Sequence, residues 1–294
     1  MYQITIYLKT GLEDDQAGFL HEALAEEAGL LSLSLFKKDG QEQMILLFED
    51  PLPFEELKEL LATQITGFGD LYLSHEAEEF SQDQDWLEMC YRQNPPFQAG
   101  DFWVYGSHVK APLPDDHLIP LCIDAVQAFG SGSHGTTKGC LELLCELKSR
   151  GVHLQKILDV GTGSGILAIA AQKLFSEAQI IASDNDPACL QATNRHAQQN
   201  NVILGQVLLA EGFDHSNINE NAPYDLVIAN ILPSVLTGFE AELYGQAKQG
   251  AFILLSGIPA PREEEVLASY HAGRYELTSR TNHEEWISLL LQKA

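Results

Sequence analysis

Three short segments of the chain carry residue types that could hold a ligand or an amine. In the first, "DVGTGSG", Asp159 and Val160 end an apolar run, and Gly161, Gly163 and Gly165 precede a helical pattern. Glycine allows the backbone to turn sharply and to approach a ligand closely. The first turn of a helix also exposes N–H groups that have no partner within the helix. At the carboxyl end of a strand in an open α/β sheet, this combination is typical of a ligand site.

The spacing of the glycines restricts the kind of ligand. A dinucleotide fingerprint has the spacing G-x-G-x-x-G, whereas this segment has G-x-G-x-G, and Ile166 stands where the third glycine would fall. A P-loop would need Gly-Lys-Ser/Thr, which this segment lacks. Both phosphate-binding interpretations are therefore weakened. A tight strand–helix turn without a ligand remains an alternative.

The second segment, "IIASDNDP", places Asp184 at the end of the next predicted strand. A carboxylate in this position can accept hydrogen bonds from both hydroxyls of a ribose. Asp186 stands directly before Pro187 and is predicted to cap the following helix. We therefore expect Asp184 to bind a nucleoside and Asp186 to have a structural role.

The third segment contains an asparagine at the end of a strand, "YDLVIANILP". Asn230 would face the same crevice as the glycine turn, because parallel strands end at one edge of the sheet. A second asparagine turn, "NPPF" at residues 94–97, spells the amine-holding motif of enzymes that methylate exocyclic amines. It follows the helical segment "MCYRQ" and no strand leads into it. We therefore predict that Asn230 is the catalytic asparagine and that residues 94–97 are a linker turn.

The pattern of apolar residues predicts two domains. Residues 1–75 read as β-α-β-β-α-β, a small ferredoxin-like α+β module. From residue 136, strands and helices alternate, which favours a Rossmann-like α/β domain with a parallel sheet. Two further strand patterns, "RYELTSRTN" and "EEWISLLLQ", predict a C-terminal antiparallel hairpin. The predicted organisation is a ferredoxin-like substrate-recognition domain (1–77), a linker helix and turn (78–100) and a catalytic domain (101–294).

The elements predicted for the larger domain alternate regularly along the chain. The predicted elements are helix 136–149, strand 156–160, helix 164–176, strand 179–184, helix 187–200, strand 224–230, helix 233–247 and strand 250–257. Thr136 and Thr137 are predicted to be N-cap residues of the first of these helices.

The composition restricts the partner and the compartment. The formal net charge of the 294 residues is −25, which argues against nucleic-acid binding and suits a cationic partner. The five cysteines form no C-x-x-C pair, so we expect reduced, buried thiols and no metal site. No stretch resembles a signal peptide or a membrane span. We therefore expect a cytoplasmic protein that does not bind a membrane.

Three stretches taken together resemble the PrmA family, the methyltransferases of large-subunit ribosomal protein eleven. The stretches are "AFGSGSHGTTKGCLELL" (128–144), "ILDVGTGSGILAIAA" (157–171) and "VIANILPSVL" (227–236). "ILLSGI" (253–258) and "EEWISLLL" add to the match, and the resemblance covers nearly the whole chain. It implies a class I S-adenosylmethionine (SAM) methyltransferase that methylates lysine side chains or the N-terminal amine of that ribosomal protein, free or on the ribosome.

The resemblance also implies which residues contact SAM. The implied cofactor-binding residues are Phe129, Gly130, His134, Thr137, Asp159, Gly161, Gly163, Gly165, Asp184 and Asn230. Asp159 would orient the amino-acid end of SAM, and Asn230 would also act on the acceptor. The chain departs from the family pattern at Gly135, where proline is usual, and at residues 233–236, which lie on the acceptor side. Two alternatives remain: a methyltransferase acting on a nucleic-acid adenine or another protein, and a Rossmann-like binding module or dehydrogenase.

Overall fold

The protein forms two compact units, residues 1–92 and 93–294. The computed structural model describes residues 2–12, 20, 23–24, 28–38, 41–48, 50–79, 95–109, 114–124, 135–270 and 273–294. The division between the units lies inside the predicted linker 78–100, but most of that linker, Asn94 included, lies outside the described residues. No helix in the described ranges is long and apolar enough to span a membrane.

The first unit is built on a four-stranded antiparallel sheet. Its strands are Tyr2–Leu8 (β1), Leu30–Lys38 (β2), Gln41–Phe48 (β3) and Tyr72–Glu79 (β4), and its described helices are Phe54–Gln64 (α1) and Phe68–Leu71 (α2). The order of the strands is β2-β3-β1-β4. Ile4 and Ile6 point to the same face because side chains alternate along a strand, and both share one core with Leu57 and Leu61 of α1.

The second unit contains a seven-stranded mixed sheet flanked by helices. Its strands are Lys156–Val160 (β8), Gln179–Asp184 (β9), Gln206–Leu209 (β10), Tyr224–Asn230 (β11), Ala247–Pro259 (β12), Tyr275–His283 (β13) and Trp286–Lys293 (β14). Its helices are Gly135–Ser149 (α3), Ile166–Leu174 (α4), Pro187–Gln199 (α5), Ser216–Asn221 (α6), Pro233–Gly238 (α7), Glu240–Gln246 (α8) and Glu263–Tyr270 (α9).

The order of the strands places a topological switch at the centre of this sheet. The order is β10-β9-β8-β11-β12-β14-β13, and the first five strands are parallel. The chain runs outward from β8 to β10 and then returns to β11, on the other side of β8. The crevice outside the ends of β8 and β11 is where ligands bind in open sheets of this type. β14 is inserted antiparallel between β12 and β13.

A separate three-stranded sheet precedes α3. It consists of Phe97–Ala99 (β5), Phe102–Tyr105 (β6) and Ile119–Cys122 (β7), with β5 antiparallel and β7 parallel to β6. Phe97 therefore begins a strand of the second unit, whereas the sequence pattern predicted a turn that continues to residue 100. The two prolines before Phe97 are typical of a turn, so this short strand was not predicted.

The helix predicted over residues 233–247 is interrupted. α7 ends at Gly238 and α8 begins at Glu240, and Phe239 between them keeps a right-handed helical backbone, with φ at −88° and ψ at −3°. Its ring lies edge-on to Phe213, with 5.2 Å between the ring centroids. A Cβ atom on Gly212 would lie 2.8 Å from the same ring.

The amino-terminal end of α3 is held by two serine hydroxyl groups. Ser256 of β12 and Ser288 of β14 both donate to the carbonyl oxygen of Thr136, at 3.1 and 3.3 Å, and their hydroxyls lie 2.7 Å apart. α3 begins at Gly135, so Thr136 and Thr137 lie in its first turn and are not N-cap residues. A Cβ atom on Gly135 would approach the carbonyl oxygen of His283 to 2.8 Å, so α3 packs closely on β13 at this residue.

The close approach of α3 to β14 generates a prediction about stability. A Cβ atom on Gly139 would overlap the hydroxyl of Ser288 and lie 2.5 Å from that of Thr281. Gly139→Ala should therefore destabilise the second unit by about 1–3 kcal/mol, the usual effect of overpacking a core. Gly245→Ala, at an exposed position of α8 with nothing within 4 Å of the added atom, should leave stability equal or up to about 1 kcal/mol higher. Urea unfolding of both variants measures the difference, and equal midpoints would contradict the close packing.

Candidate functional site

The glycine turn after β8 adopts a left-handed backbone at each glycine. The φ angles of Gly161, Gly163 and Gly165 are 69°, 55° and 82°, values that side chains rarely allow. Thr162 donates its N–H to the carbonyl oxygen of Ser183 in the neighbouring strand, at 2.9 Å. The turn thus lies over the ends of β8 and β9, and its backbone faces the crevice that the strand order creates.

Asp159 lies beneath this turn and is almost completely buried. Its Oδ2 accepts hydrogen bonds from the hydroxyl of Thr162 at 2.7 Å and from the N–H of Ala168 at 3.2 Å. Burial raises the pKa of Asp159 to about 6, and the nearby charge of Asp184 also raises it, although the two hydrogen bonds act in the opposite direction. Among the described residues no donor reaches Oδ1. One oxygen therefore supports the turn while the other can accept a bond from a ligand.

Asp184 lies at the end of β9, where it holds the turn from the front. Its Oδ2 accepts the N–H of Gly163 at 2.8 Å, and its Oδ1 accepts the N–H of Asp186 at 3.0 Å. A carboxylate has about four acceptor sites, so each oxygen can accept one more hydrogen bond. Asp186 caps α5 by accepting the N–H of Ala188 at 2.8 Å, as its place before a proline predicted.

Side chains of helix α5 contact backbone carbonyl oxygens of the glycine turn. The hydroxyl of Thr193 donates to the carbonyl oxygen of Gly163 at 3.1 Å. The Nδ1 atom of His196 lies 2.7 Å from the carbonyl oxygen of Ser164. Because a carbonyl only accepts, Nδ1 carries the proton, and Nε2 accepts the N–H of Asp124 at 3.2 Å. His196 is therefore neutral, and burial lowers its pKa accordingly.

The same helix ties the end of β7 to the cofactor side of the sheet. Asn200, one turn beyond His196, accepts the N–H of Cys122 at 2.9 Å and donates to its carbonyl oxygen at 2.7 Å. Gln199 donates to Asp124 at 3.0 Å. The buried His196 and the buried C-cap residue Asn200 thus join α5 and the glycine turn to the end of β7 and the segment after it, and the exposed Gln199 adds one contact. The sequence pattern did not lead to a prediction of these contacts. The feature that could have indicated them is the helical spacing of polar residues in a helix that packs on a sheet.

Asn230 is the last residue of β11 and is half-buried at the same edge of the sheet. Its preceding neighbour Ala229 pairs with Val160, so Asn230 lies level with Gly161, and on the other side it pairs with Ser256. No described residue hydrogen-bonds its side-chain amide. The carboxamide is therefore available at the crevice, on the side of β8 opposite to Asp184.

The sequence-predicted residues do not all lie within the described part of the chain. Asp159, Asp184, Asn230 and the three glycines converge on one edge of the sheet. Thr137 is buried in the first turn of α3, which the hydroxyl of Ser256 links to the level of Asn230. Phe129, Gly130 and His134 lie outside the described residues, so their assignment stays a prediction. Within the described ranges no cluster of three or more His, Cys, Asp or Glu side chains could hold a metal ion.

The buried carboxyl of Asp159 makes stability depend on pH in a defined direction. Its pKa in the folded protein, about 6, exceeds the value of about 3.9 in an unfolded chain, so the folded state binds the proton more tightly. The destabilisation by this group therefore grows as pH rises from about 4 to about 6 and is nearly constant above that. The free energy of unfolding of Asp159→Asn, relative to that of the wild type, should be about 1 kcal/mol higher at pH 7.5 than at pH 5.0. Urea unfolding at both pH values measures this change, and a difference that is independent of pH would contradict the raised pKa.

Comparison with known proteins agrees with this arrangement. The family model of ribosomal protein L11 methyltransferase (PrmA) matches residues 12–294. A ribosomal protein L11 methyltransferase of Sinorhizobium fredii is 36% identical over 260 residues, which cover 87% of this chain and 86% of that protein. One from Agrobacterium fabrum is 30% identical over 302 residues, which cover all of both chains.

A solved structure shares the fold. The crystal structure of a ribosomal protein L11 methylase from Lactobacillus delbrueckii subsp. bulgaricus covers 66% of this chain and 95% of its own, with a TM-score of 0.57 and 23% identity. The second unit has the α/β fold with a mixed sheet that class I SAM methyltransferases share, and SAM is the methyl donor that this fold and family imply. Both the match over residues 12–294 and the identity of the relatives place this chain in the PrmA family of ribosomal protein L11 methyltransferases.

Proposed function

We propose that this enzyme transfers methyl groups from SAM to amino groups of ribosomal protein L11, on lysine side chains, on the N-terminal amine, or on both. The observation that carries the proposal is the position of Asn230, which lies level with Gly161 and presents a carboxamide that no described residue hydrogen-bonds. The printed names of the relatives support the substrate. An asparagine oxygen at this place can accept a hydrogen bond from an amine that enters beside the cofactor turn.

The described residues fit the chemical groups of SAM. The acceptor Oδ1 of Asp159 suits an ammonium group, and the remaining acceptor sites of Asp184 suit the two hydroxyls of a ribose. The left-handed glycines give the turn a backbone conformation that side chains rarely allow, and Cβ atoms on Gly161 and Gly165 would meet Ile231 and Thr193. We assign Thr137 and the glycines of the turn to the same site.

The chain's own contribution to the reaction is position and electrostatics. SAM supplies a methyl group that a sulfonium activates, so a neutral amine that is aligned with it is sufficient. A free lysine amine, whose pKa is about 10.4, is mostly protonated at neutral pH, and an apolar surrounding favours its neutral form. Ile231 and Leu232 follow Asn230 and provide such a surrounding, with Leu232 exposed over 60% of its surface. We assign no general base.

The acidic first unit is proposed to bind the basic substrate. Residues 1–80 contain four Lys and no Arg against seventeen Asp and Glu, so the charge of this part is 4 − 17 = −13. Opposite charges accelerate encounter and select the partner. We propose that residues 1–77 form a ferredoxin-like recognition domain, for which the strand order β2-β3-β1-β4 is the support. We also propose that the enzyme acts in the cytoplasm, on the free ribosomal protein or on the ribosome.

Mass spectrometry tests the proposed function directly. The purified enzyme would be incubated with SAM and with free ribosomal proteins or whole ribosomes. The expected result is the mass increment of one or more methyl groups on lysine residues or the N-terminus of ribosomal protein L11 alone. Methylation of another protein, or of ribosomal RNA, with none on ribosomal protein L11, would overturn the proposed substrate.

Asp184, the last residue of β9, and Asp186, the cap of α5, should have separable effects. Asp184→Ala removes hydrogen bonds from a charged acceptor, each worth about 1.5–3 kcal/mol, so SAM affinity should fall ~10- to 100-fold. Asp186→Ala removes the cap of α5 and should cost about 1 kcal/mol of stability, with little change in SAM affinity. Titration calorimetry with SAM on both variants gives the comparison. Unchanged affinity in Asp184→Ala would exclude this residue from the cofactor site.

The two asparagine turns of the sequence should also differ in their effects. Asn230→Ala should lower turnover by about 10²-fold, the effect of removing one positioned polar group that acts in the transition state. Asn94→Ala, in the predicted linker, should change turnover by less than about threefold and stability by no more than about 1 kcal/mol. Steady-state kinetics with the same protein substrate measure both. If Asn94→Ala were the inactive variant, "NPPF" would be the catalytic turn and the assignment of Asn230 would be wrong.

A further inference from the structure

The segment "ILLSGI" (253–258) contains none of the residues that are proposed to bind SAM or the amine. It forms the end of β12, next to the strand that carries Asn230. Between Leu255 and Ile258 the pairing with β14 shifts by one residue, so this stretch contains a β-bulge. Gly257 lies in the bulge with φ at +81°, a left-handed conformation that favours glycine.

Gly257 lies against the backbone of Ile231, the residue that follows Asn230. A Cβ atom on Gly257 would overlap the carbonyl oxygen of Ile231 and lie 3.1 Å from its carbonyl carbon and 3.3 Å from its nitrogen. All three are backbone atoms, which cannot rotate away as the end of a flexible side chain can. The acceptor turn, defined here as residues 230–233, therefore lies against Gly257 at a distance that only glycine permits.

The other side of Ile231 contacts the cofactor turn. A Cβ atom on Gly161 would lie 2.5 Å from Cγ2 of Ile231. Ile231 is thus enclosed between a glycine of the cofactor turn and a glycine of the bulge. The helix that follows the acceptor turn is fixed as well, because the buried hydroxyl of Tyr270 donates to the carbonyl oxygen of Leu236 at 2.7 Å.

From these contacts we infer that Gly257 is a positioning residue, which fixes the acceptor turn at the distance from the cofactor turn that methyl transfer requires. The inference rests on the proposed role of Asn230 toward the amine. Displacing a positioning group by about 1 Å can lower a rate by about 10²-fold, although substrate and cofactor still bind. The three atoms nearest to a Cβ atom on Gly257 all belong to the backbone of Ile231 and not to a side chain assigned to SAM, so its effect should fall on turnover.

Gly257→Ala tests the inference, and β12 contains a matched control. Gly250 also has a left-handed backbone, with φ at +75°, but nothing lies within 4 Å of an added Cβ atom. Both variants therefore suffer similar backbone strain, and only Gly257→Ala displaces Ile231. Turnover should fall ~10- to 100-fold in Gly257→Ala, with the Kd of SAM within about threefold of the wild type. Gly250→Ala should retain turnover and the Kd of SAM within about twofold. Equal turnover in the two variants, or an equal loss of turnover and SAM affinity in Gly257→Ala, would overturn the inference.

A second measurement on the free enzyme does not depend on the substrate. The amides of Val235 and Leu236 donate to the carbonyl oxygen of Leu232, at 3.0 and 3.1 Å. Hydrogen exchange of the peptide spanning residues 231–238 should be about tenfold faster in Gly257→Ala, but unchanged in Gly250→Ala. Equal exchange in both variants would show that Gly257 does not hold the turn. If the wild type did not methylate the substrate, the proposed function would be contradicted. The exchange comparison would still test whether Gly257 holds the acceptor turn, because it needs no substrate.

A second pair of variants covers the case in which Gly257→Ala does not fold. Ile231→Val keeps the β-branched methyl group that lies over Gly161, whereas Ile231→Ala removes it. Turnover should be about tenfold lower in Ile231→Ala than in Ile231→Val, with SAM affinity retained in both. Equal turnover in the two variants would show that the enclosure of Ile231 does not position the acceptor turn.

Discussion

The glycine turn after β8 is the constraint on which the rest of the site depends. Three left-handed residues in five are unfavourable unless neighbouring groups satisfy the backbone, and here the neighbours do so from three sides. Asp159 supports the turn from below, Asp184 binds its N–H in front, and α5 binds its carbonyl oxygens from behind. The burial of Asp159 is unfavourable in itself, as its raised pKa indicates. This arrangement is preorganised for a ligand with a cationic group and a diol.

The two sides of the crevice are built differently. On the cofactor side, buried polar groups are paired with one another, as the neutral His196 between two backbone partners illustrates. Such networks specify one geometry when every member is satisfied. On the acceptor side, position comes from van der Waals contact, because Ile231 is enclosed by glycines and the side chain of Asn230 has no hydrogen-bond partner among the described residues. Under the proposed function, the first side would bind SAM and the second would align the amine.

Much of the fold could be predicted from the sequence, because the parallel strands are short apolar runs that end in glycine or a polar residue. β8, β9 and β11 have the bounds that the pattern predicted, and Asp159, Asp184 and Asn230 lie at the edge where these strands end. The contributions of Ser256 and Gly257 could not be predicted, since both depend on how β14 pairs with β12, far along the chain. The prediction of a continuous helix over 233–247 was also wrong, because α7 and α8 are separated at Phe239. Local periodicity does not encode which distant ring packs against which glycine.

The position of α3 has a consequence for the order in which a newly made chain can assemble. Segment 157–165, with the cofactor turn, leaves the ribosome early, and its local contacts can form as soon as β9 and α5 follow. Helix α3 is synthesised before that segment, yet its seat includes Ser288 on β14, which is translated more than a hundred residues later. Until β14 is available, α3 lacks this one partner, although its buried residues share a core with β6 and with α4. The contact between α3 and β14 thus forms late in biosynthesis, although α3 is translated before the strands of the seven-stranded sheet.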